Sequence, residues 1–191
     1  MPSSAGEILD FWFGQEDEPG YGEFRNVWFQ KDEDFDREVQ DRFREDHERA
    51  ANGDLDEWRK EARSALALVI LLDQFPRNMF RGDARTHTTD TKAQEISEYA
   101  IERALDRELP AFQRMFLYMP FMHSESVEAQ RRSVELFERL AAEGGPDVTS
   151  YAAGHRDIVE RFGRFPHRNA ILGRETTPEE AEFLTQPGSS F

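Results

Sequence analysis

The chain has 191 residues, a formal net charge of −15, and 12% aromatic residues that include 16 phenylalanines. This length and this supply of large apolar side chains predict a folded protein with one hydrophobic core, in a single domain spanning residues 1–191. The absence of cysteine excludes disulfides and thiolate metal sites, and the strong negative charge disfavours binding to nucleic acids and anionic membranes.

Helical start and stop signals follow one another along the chain, whereas strand signals are nearly absent. Near the two ends, Ser4 with Glu7 and Thr177 with Glu180 form capping boxes, which mark the first residues of a helix. Between them, apolar residues recur every three or four positions in stretches closed by glycine or proline. In chain order, the predicted helices lie near residues 4–14, 32–53, 55–76, 90–107, 110–120, 124–144, 147–166 and 177–184.

Two prolines are expected to set boundaries in the middle of the chain. Pro76 is predicted to end the third helix, so that residues 77–89 form a loop, and Pro120 is predicted to end the fifth. Ser124 is then well placed to cap the sixth helix. Because the connections between helices are short, neighbouring helices are expected to be antiparallel. The predicted fold is therefore all-α, built from stacked antiparallel helical hairpins.

A short pattern occurs twice, and each copy lies in an arginine-rich stretch. Residues 75–78 read Phe-Pro-Arg-Asn, and residues 165–169 read Phe-Pro-His-Arg-Asn. The second copy lies within residues 161–174, which contain several arginines and no acidic residue. One interpretation is a helix-stop motif used twice, in which the arginines bond terminal carbonyls. The other is that the two turns meet and present Arg77 and Arg168 to one anionic ligand.

A second candidate segment is His123-Ser124-Glu125. If Ser124 caps a helix, these residues lie at a helix N-terminus, where free N–H groups favour anions. The same residues are also common at helix starts that bind nothing.

The helix predicted at 147–166 contributes further candidates. His155 shares a helical face with apolar residues, which is more typical of a buried core histidine than of a ligand-binding one. Two acid–arginine pairs have the four-residue spacing of ion pairs within a helix, namely Asp157–Arg161 and Glu160–Arg164. This pairing leaves Arg156 available for other contacts.

Metal binding is not predicted. Suitable residue types are present in His123, Glu125, His155, Asp157 and His167, but no short pair of histidines has metal-ligand spacing. Ser124 lacks the sequence context of a nucleophilic serine. No metal and no cofactor is therefore expected.

Several segments resemble, in the same order, the bacterial family labelled domain of unknown function 924. They are DFWFG (10–14), ILLDQFPRNMFRG (70–82), FLYMPFMHSES (116–126), HRDIVERFGRFPHRNAILGR (155–174) and the closing PGSSF. The resemblance covers almost the whole chain and implies an all-helical fold similar to that of tetratricopeptide-repeat proteins, with diverged repeats. It implies no established reaction. His87 and Met122 depart from the family pattern, and His87 is therefore left out of the predicted site.

The leading functional prediction is a binding module with a basic pocket for a small anionic ligand, or for the carboxylate or phosphate of a peptide partner. The predicted binding residues are Arg77, Asn78, His123, Ser124, His155, Arg156, Arg164, His167, Arg168 and Asn169. The alternative is a small-molecule hydrolase in which His123 or His155 acts with Glu125 as acid and base. A third possibility is that all of these motifs are structural.

The start of the chain and its longest aliphatic run bear on location. The first residues lack the basic and apolar regions of a signal peptide, and the run at 65–72 is too short to cross a bilayer. The sequence therefore predicts a cytoplasmic protein with no membrane or nucleic acid partner.

Overall fold

The computed structural model describes residues 2–190. Its regular structure is helical, and no β-strand occurs within that range, so the prediction of an all-α fold is confirmed. The α-helices are α1 (Ala5–Phe13), α2 (Glu33–Asn52), α3 (Ala62–Val69), α4 (Phe75–Met79), α5 (Asp90–Glu102), α6 (Ala111–His123), α7 (Val127–Ala142), α8 (Thr149–Phe162) and α9 (Pro178–Leu184). A π-helical segment, Ile70–Gln74, joins α3 to α4.

Three of the helix ends that depend on local capping lie where the sequence predicts them, at the starts of α1, α2 and α9. At α1 the Ser4 hydroxyl accepts the Glu7 N–H at 3.2 Å, and the Glu7 carboxylate accepts the Ser4 N–H at 2.7 Å. Asp32 caps α2, which Gly53 ends in the left-handed conformation at φ 92°. The capping box at the start of α9 is present as well.

The predictions that Pro76 and Pro120 end helices are wrong. Helix α3, the π segment and α4 form one helical run as far as Met79, and α6 continues through Pro120. A proline removes one N–H donor, and a helix can continue if the carbonyl that loses this donor finds another partner. At Pro76 that carbonyl belongs to Leu71 in the π register, in which the Phe75 N–H bonds the Ile70 carbonyl, or to Leu72 in the α register. Both carbonyls have side-chain donors, because His47 Nδ1 donates to Leu71 at 2.8 Å and the Thr89 hydroxyl donates to Leu72 at 2.6 Å.

The two copies of the repeated pattern therefore differ in structure. Arg77 and Asn78 lie within α4 and not in the loop predicted at 77–89. In the second copy, Pro166 begins a single 3-10 turn, Pro166–Arg168, after α8 has ended.

Other helix boundaries also differ from the predicted ones for local backbone reasons, as at the end of α8, where Gly163 takes a left-handed conformation before Pro166 is reached. Helix α3 begins only at Ala62, because Glu61 is extended, with φ −126° and ψ 144°. Helix α5 ends at Glu102, and Ala104 takes a left-handed conformation at φ 58° that interrupts the helix predicted to reach 107.

The helical run through residues 65–76 is buried throughout and lies at the centre of the core. Helix α3 packs against α1 and α5, and α4 with the π segment packs against α2. Helices α6, α7 and α8 pack in succession, and α6 also contacts α5. This packing is compatible with stacked helical hairpins, and the tetratricopeptide-like superhelix remains a prediction. Between residues 2 and 190 there is no helix with the length and hydropathy to span a membrane.

Candidate functional site

A cavity of about 330 Å³ lies where the start of α5, the end of α6 and the segment after α8 meet. This size is in the range of small-molecule pockets. Its polar and charged lining includes His87, Asp90, His123, Ser124, Glu125 and Arg168.

Beneath the cavity lies Asp73, a fully buried carboxylate in the π segment. Its Oδ1 atom accepts a hydrogen bond from His123 Nδ1 at 2.7 Å and lies 3.4 Å from Arg77 Nη1. Its Oδ2 atom accepts from Gln74 Nε2 at 2.6 Å. Burial by itself raises the pKa of Asp73, but the nearby Arg77 and His123 hold that pKa below its ordinary value. Asp73 is therefore ionised, and both of its carboxylate oxygens have hydrogen-bond partners.

Asp90 is a second carboxylate, and it joins the two arginines of the repeated pattern. Arg77 Nη1 lies 3.1 Å from its Oδ1 atom, and Arg168 Nη1 lies 3.5 Å from its Oδ2 atom. His87 Nδ1 also contacts Oδ2, at 3.2 Å. Although burial raises the pKa of Asp90, Arg77 and His87 hold it far below its ordinary value. The structure thus brings Arg77 and Arg168 to a shared carboxylate.

Arg168 lies on the cavity wall, and nearby carboxylates balance its positive charge only weakly. Its side chain is only 9% exposed, and its guanidinium carbon lies 4.5 Å from the centre of the Phe165 ring. Its one ion-pair contact is the 3.5 Å approach to Asp90, and Nε has no hydrogen-bond partner among residues 2–190. Burial lowers the pKa of Arg168 to about 10, so the group stays cationic at neutral pH.

His123 is held in one orientation by Asp73. Because the carboxylate is ionised, it accepts a hydrogen bond from the Nδ1–H group, which leaves Nε2 of the neutral ring as a hydrogen-bond acceptor. Burial and the nearby Arg77 lower the pKa of His123, against the opposing effect of Asp73. The imidazole on the cavity wall is therefore neutral near pH 7.

Ser124 and Glu125 do not have the predicted roles at a helix N-terminus. The cap of α7 is Ser126, whose hydroxyl accepts the Ala129 N–H at 3.4 Å, whereas Ser124 follows the end of α6. Glu125 accepts two hydrogen bonds from Arg174, at 2.7 and 2.9 Å. The carboxylate that orients His123 is thus Asp73 and not Glu125.

Two of the predicted histidines are held away from the lining of the cavity. His155 Nδ1 lies 2.8 Å from the Tyr151 carbonyl, and its ring centre is 6.5 Å from that of His123. Burial lowers the pKa of His155 to about 3. Burial and Arg168 lower that of His167 to about 4. Both rings are therefore neutral near pH 7.

The remaining predicted residues bind other parts of the protein. Asn78 donates to Asp36 at 2.7 Å. Arg164 and Asn169 both bind Glu180, at 2.7 Å and 3.2 Å respectively. Their polar groups serve the packing of the chain.

The ion pairs predicted within the helix at 147–166 are also replaced by others. Arg156 pairs with its neighbour Asp157 at 2.6 Å, so Arg156 is not left over. Arg161 pairs with Glu179 at 2.9 Å, and Glu160 pairs with Arg131, also at 2.9 Å. Acids distant in sequence thus offset the arginine-rich segment, because the fold brings them closer than the acids of the same helix.

The pocket is therefore less basic than predicted. The charges of Arg77 and Arg168 are matched by those of Asp73 and Asp90, while Glu125 offsets Arg174. The site combines buried, nearly balanced charges with the neutral imidazole of His123.

Sequence reasoning missed Asp73, Asp90, His87 and Arg174. For Asp73 there was a signal, because it is the one charged residue in the apolar run 65–72 and its continuation to Phe75. A carboxylate in such a run is buried, and a buried charge needs partners. His87 lines the cavity although its departure from the family pattern argued against including it.

Metal ligation receives no support from the geometry. Within the range 2–190, no three His, Asp or Glu side chains are arranged so that they could hold a metal ion.

The fold and the pocket define an all-helical protein with a buried carboxylate–arginine–histidine network. Residues 8–188 match the family model described as bacterial protein of unknown function (DUF924), and the chain belongs to this family. It is also similar to a solved structure of the protein of unknown function ATU0120 from Agrobacterium tumefaciens. The two chains are 47% identical with a TM-score of 0.84, over 94% of this chain and 96% of the other. A comparison with curated proteins found no match.

Proposed function

We propose that the cavity binds a small anionic ligand and that Arg168 is the group that recognises its charge. The observation that carries this proposal is the state of Arg168, a buried cation on the cavity wall that has, among residues 2–190, one long ion-pair contact and no hydrogen-bond partner for Nε. A buried guanidinium gains more from a close carboxylate or phosphate than an exposed one, because the surrounding dielectric constant is low.

The neighbouring groups favour a ligand of low charge. Asp90 and Glu125 line the same cavity, and both carboxylates have a pKa below the ordinary value. A multiply charged phosphate would be repelled by them, whereas a single carboxylate could contact Arg168 at a smaller cost. His123 Nε2 and the hydroxyl groups on the wall can supply directional hydrogen bonds.

The proposal is tested by thermal unfolding of the wild type and Arg168→Gln with propionate, which carries a single carboxylate, and with succinate and inorganic phosphate. A ligand at 100 times its dissociation constant should stabilise the wild type by about 2.7 kcal/mol. Arg168→Gln should lose this stabilisation. Arg161→Gln, which removes an exposed arginine paired with Glu179, should keep it. Absence of stabilisation of the wild type by all three anions, or its persistence in Arg168→Gln, would contradict the proposal.

A hydrolase remains a second candidate, because of the Asp73–His123 pair. A neutral imidazole with its Nδ1 proton held by a carboxylate and its Nε2 left to the cavity is the arrangement of a general base. The same observation favours His123 over His155, whose ring does not line the cavity.

A further inference from the structure

His87 and Asp90 form a second carboxylate–imidazole pair on the wall of the same cavity. His87 Nδ1 lies 3.2 Å from Asp90 Oδ2, just as His123 Nδ1 lies 2.7 Å from Asp73 Oδ1. All but about a sixth of each imidazole is buried, since the exposed fractions are 15% for His87 and 16% for His123. In both pairs Nδ1 contacts the carboxylate, so Nε2 is the ring nitrogen that could contact a molecule in the cavity.

We propose that His87 and His123 act as a general acid and a general base in the hydrolysis of a small carboxylic ester that carries a free carboxylate. This inference rests on the proposed function, because the free carboxylate is the group that Arg168 would hold. Asp73 and Asp90 are positioning residues in this scheme, since each fixes the ring that touches the substrate.

The surroundings of the two rings favour different roles. His123 is buried and lies near the positive charge of Arg77, and both effects favour the neutral ring. Its Nδ1 atom is bonded to Asp73, so Nε2 is the atom that can accept a proton. Asp90 shares its charge with Arg168 across 3.5 Å. The Oδ2 atom of Asp90 contacts both His87 Nδ1 and Arg168 Nη1, so a substrate carboxylate held by Arg168 would lie beside His87, and we assign the role of general acid to that ring.

The reaction uses water as the second reactant. His123 Nε2 takes a proton from a water molecule as the water oxygen forms a bond to the acyl carbon. The bond between that carbon and the alkoxy oxygen then breaks, and His87 Nε2 gives its proton to the departing oxygen, which leaves as an alcohol. The products are a carboxylic acid and an alcohol, and exchange of one proton with solvent restores both rings.

Water is favoured over a serine nucleophile by the contacts of Ser124. Its hydroxyl accepts the Ser126 N–H at 3.3 Å, and among residues 2–190 no hydrogen bond links it to a histidine. An ester is favoured over a phosphate because Asp90 and Glu125 line the cavity.

The test compares two probes that differ only in the leaving alcohol, the ethyl and the 4-nitrophenyl monoesters of succinic acid. A general acid matters when the leaving alkoxide is basic and matters little for 4-nitrophenolate, which leaves without a proton. His87→Gln should therefore lower kcat for the ethyl ester about 100-fold and for the 4-nitrophenyl ester less than about threefold. His123→Gln should lower both by about 100-fold, because both reactions need the base.

Succinate binding, measured by calorimetry on the same proteins, separates the two levels of the proposal. Binding of succinate by the wild type without hydrolysis of either ester overturns the inference and leaves the proposed function standing. If the wild type neither binds succinate nor hydrolyses either ester, the result contradicts both the proposed function, for carboxylate ligands, and the inference that rests on it. Equal losses for the two esters in His87→Gln, with succinate binding retained, would show that His87 is not the general acid. Arg161→Gln serves as the control and should behave as the wild type.

Discussion

Asp73 is a buried charge whose partners both stabilise it and connect it to the cavity wall. Moving a carboxylate out of water costs several kcal/mol unless it is paired and hydrogen-bonded. Here Arg77, His123 and Gln74 supply the compensation, and one of these partners is the imidazole on the cavity wall. The hydrogen bond that compensates for the burial of Asp73 therefore also fixes the orientation of the His123 ring.

His155 should make the stability of the protein depend on pH. Its pKa in the folded protein is lowered from 6.5 to about 3 by burial, so the unfolded chain binds a proton that the folded protein does not. Its contribution to stability is complete above about pH 6.5 and is lost as the pH falls toward the folded pKa. The free energy of unfolding of the wild type, relative to His155→Gln, should fall by about 1.4 kcal/mol per pH unit below pH 6.5. Urea unfolding at a series of pH values measures this difference.

Ile158→Val is the matched control for this experiment. It alters a buried, non-titrating residue of the same helix, so its difference from the wild type should not change with pH. A constant difference between the wild type and His155→Gln from about pH 7 to pH 5 would contradict the buried, neutral state of His155.

At this scale the sequence predicts some site residues and misses their partners for a physical reason. Arg168 and His123 could be predicted because an arginine-rich stretch in an acidic chain and a histidine beside polar residues are local patterns. The pairing of each with its carboxylate could not, since Arg168 and Asp90 are 78 positions apart and His123 and Asp73 are 50 apart. The pocket is less basic than predicted, because a local charge count does not include acids that are distant in sequence.

The π segment is the element that sets the position of Asp73 in the core. Three successive carbonyls of this segment accept side-chain donors: Leu71 from His47 Nδ1 at 2.8 Å, Leu72 from Thr89 at 2.6 Å, and Asp73 from Arg77. Pro76 has no N–H to donate to a carbonyl of this segment, so side chains complete its hydrogen bonding, and two of them, His47 and Thr89, come from outside the helical run.

Replacing Thr89 by valine should test this account of the helical run. The change keeps the shape of the side chain but leaves the buried Leu72 carbonyl without its donor, which should cost about 1–3 kcal/mol of unfolding free energy. Thr185→Val is the control, because the Thr185 hydroxyl donates to an exposed carbonyl, and its cost should stay within about 0.5 kcal/mol. Equal stability of both variants in urea unfolding would mean that the proline is accommodated in some other way.

The contrast between the predicted and observed boundaries has the same origin. Capping boxes at Ser4 and Thr177 involve residues three apart, so the sequence predicts them correctly. The helical run continues through Pro76 where side chains distant in sequence donate to the carbonyls of Leu71 and Leu72, which a local rule against proline does not include. A local rule could not have found the contact between Thr89 and Leu72.

At the scale of the whole molecule, the hydrophobic core is divided into unequal parts. The larger cluster extends from Ile8 to Ala152, and a smaller one contains Ile158, Val159 and Phe165. The smaller cluster is too small to fold alone, because a stable core requires far more buried apolar surface. The segment after α8 must therefore depend on contacts with the rest of the chain, which include those at the pocket.

Unfolding should accordingly be a single transition, as the prediction of one domain requires. Arg174 joins the segment after α8 to Glu125 through two hydrogen bonds, and both side chains are largely buried. Arg174→Gln should destabilise the whole protein by about 1–3 kcal/mol, and a chain of this size loses about 2–4 °C in Tm per kcal/mol. Because the two clusters unfold together, the variant should show one transition at a lower Tm, with equal calorimetric and van't Hoff enthalpies.

Arg161→Gln, which removes an exposed pair, should leave Tm nearly unchanged. A separate transition at low temperature, in the wild type or in Arg174→Gln, would instead identify residues after α8 as an independently unfolding unit.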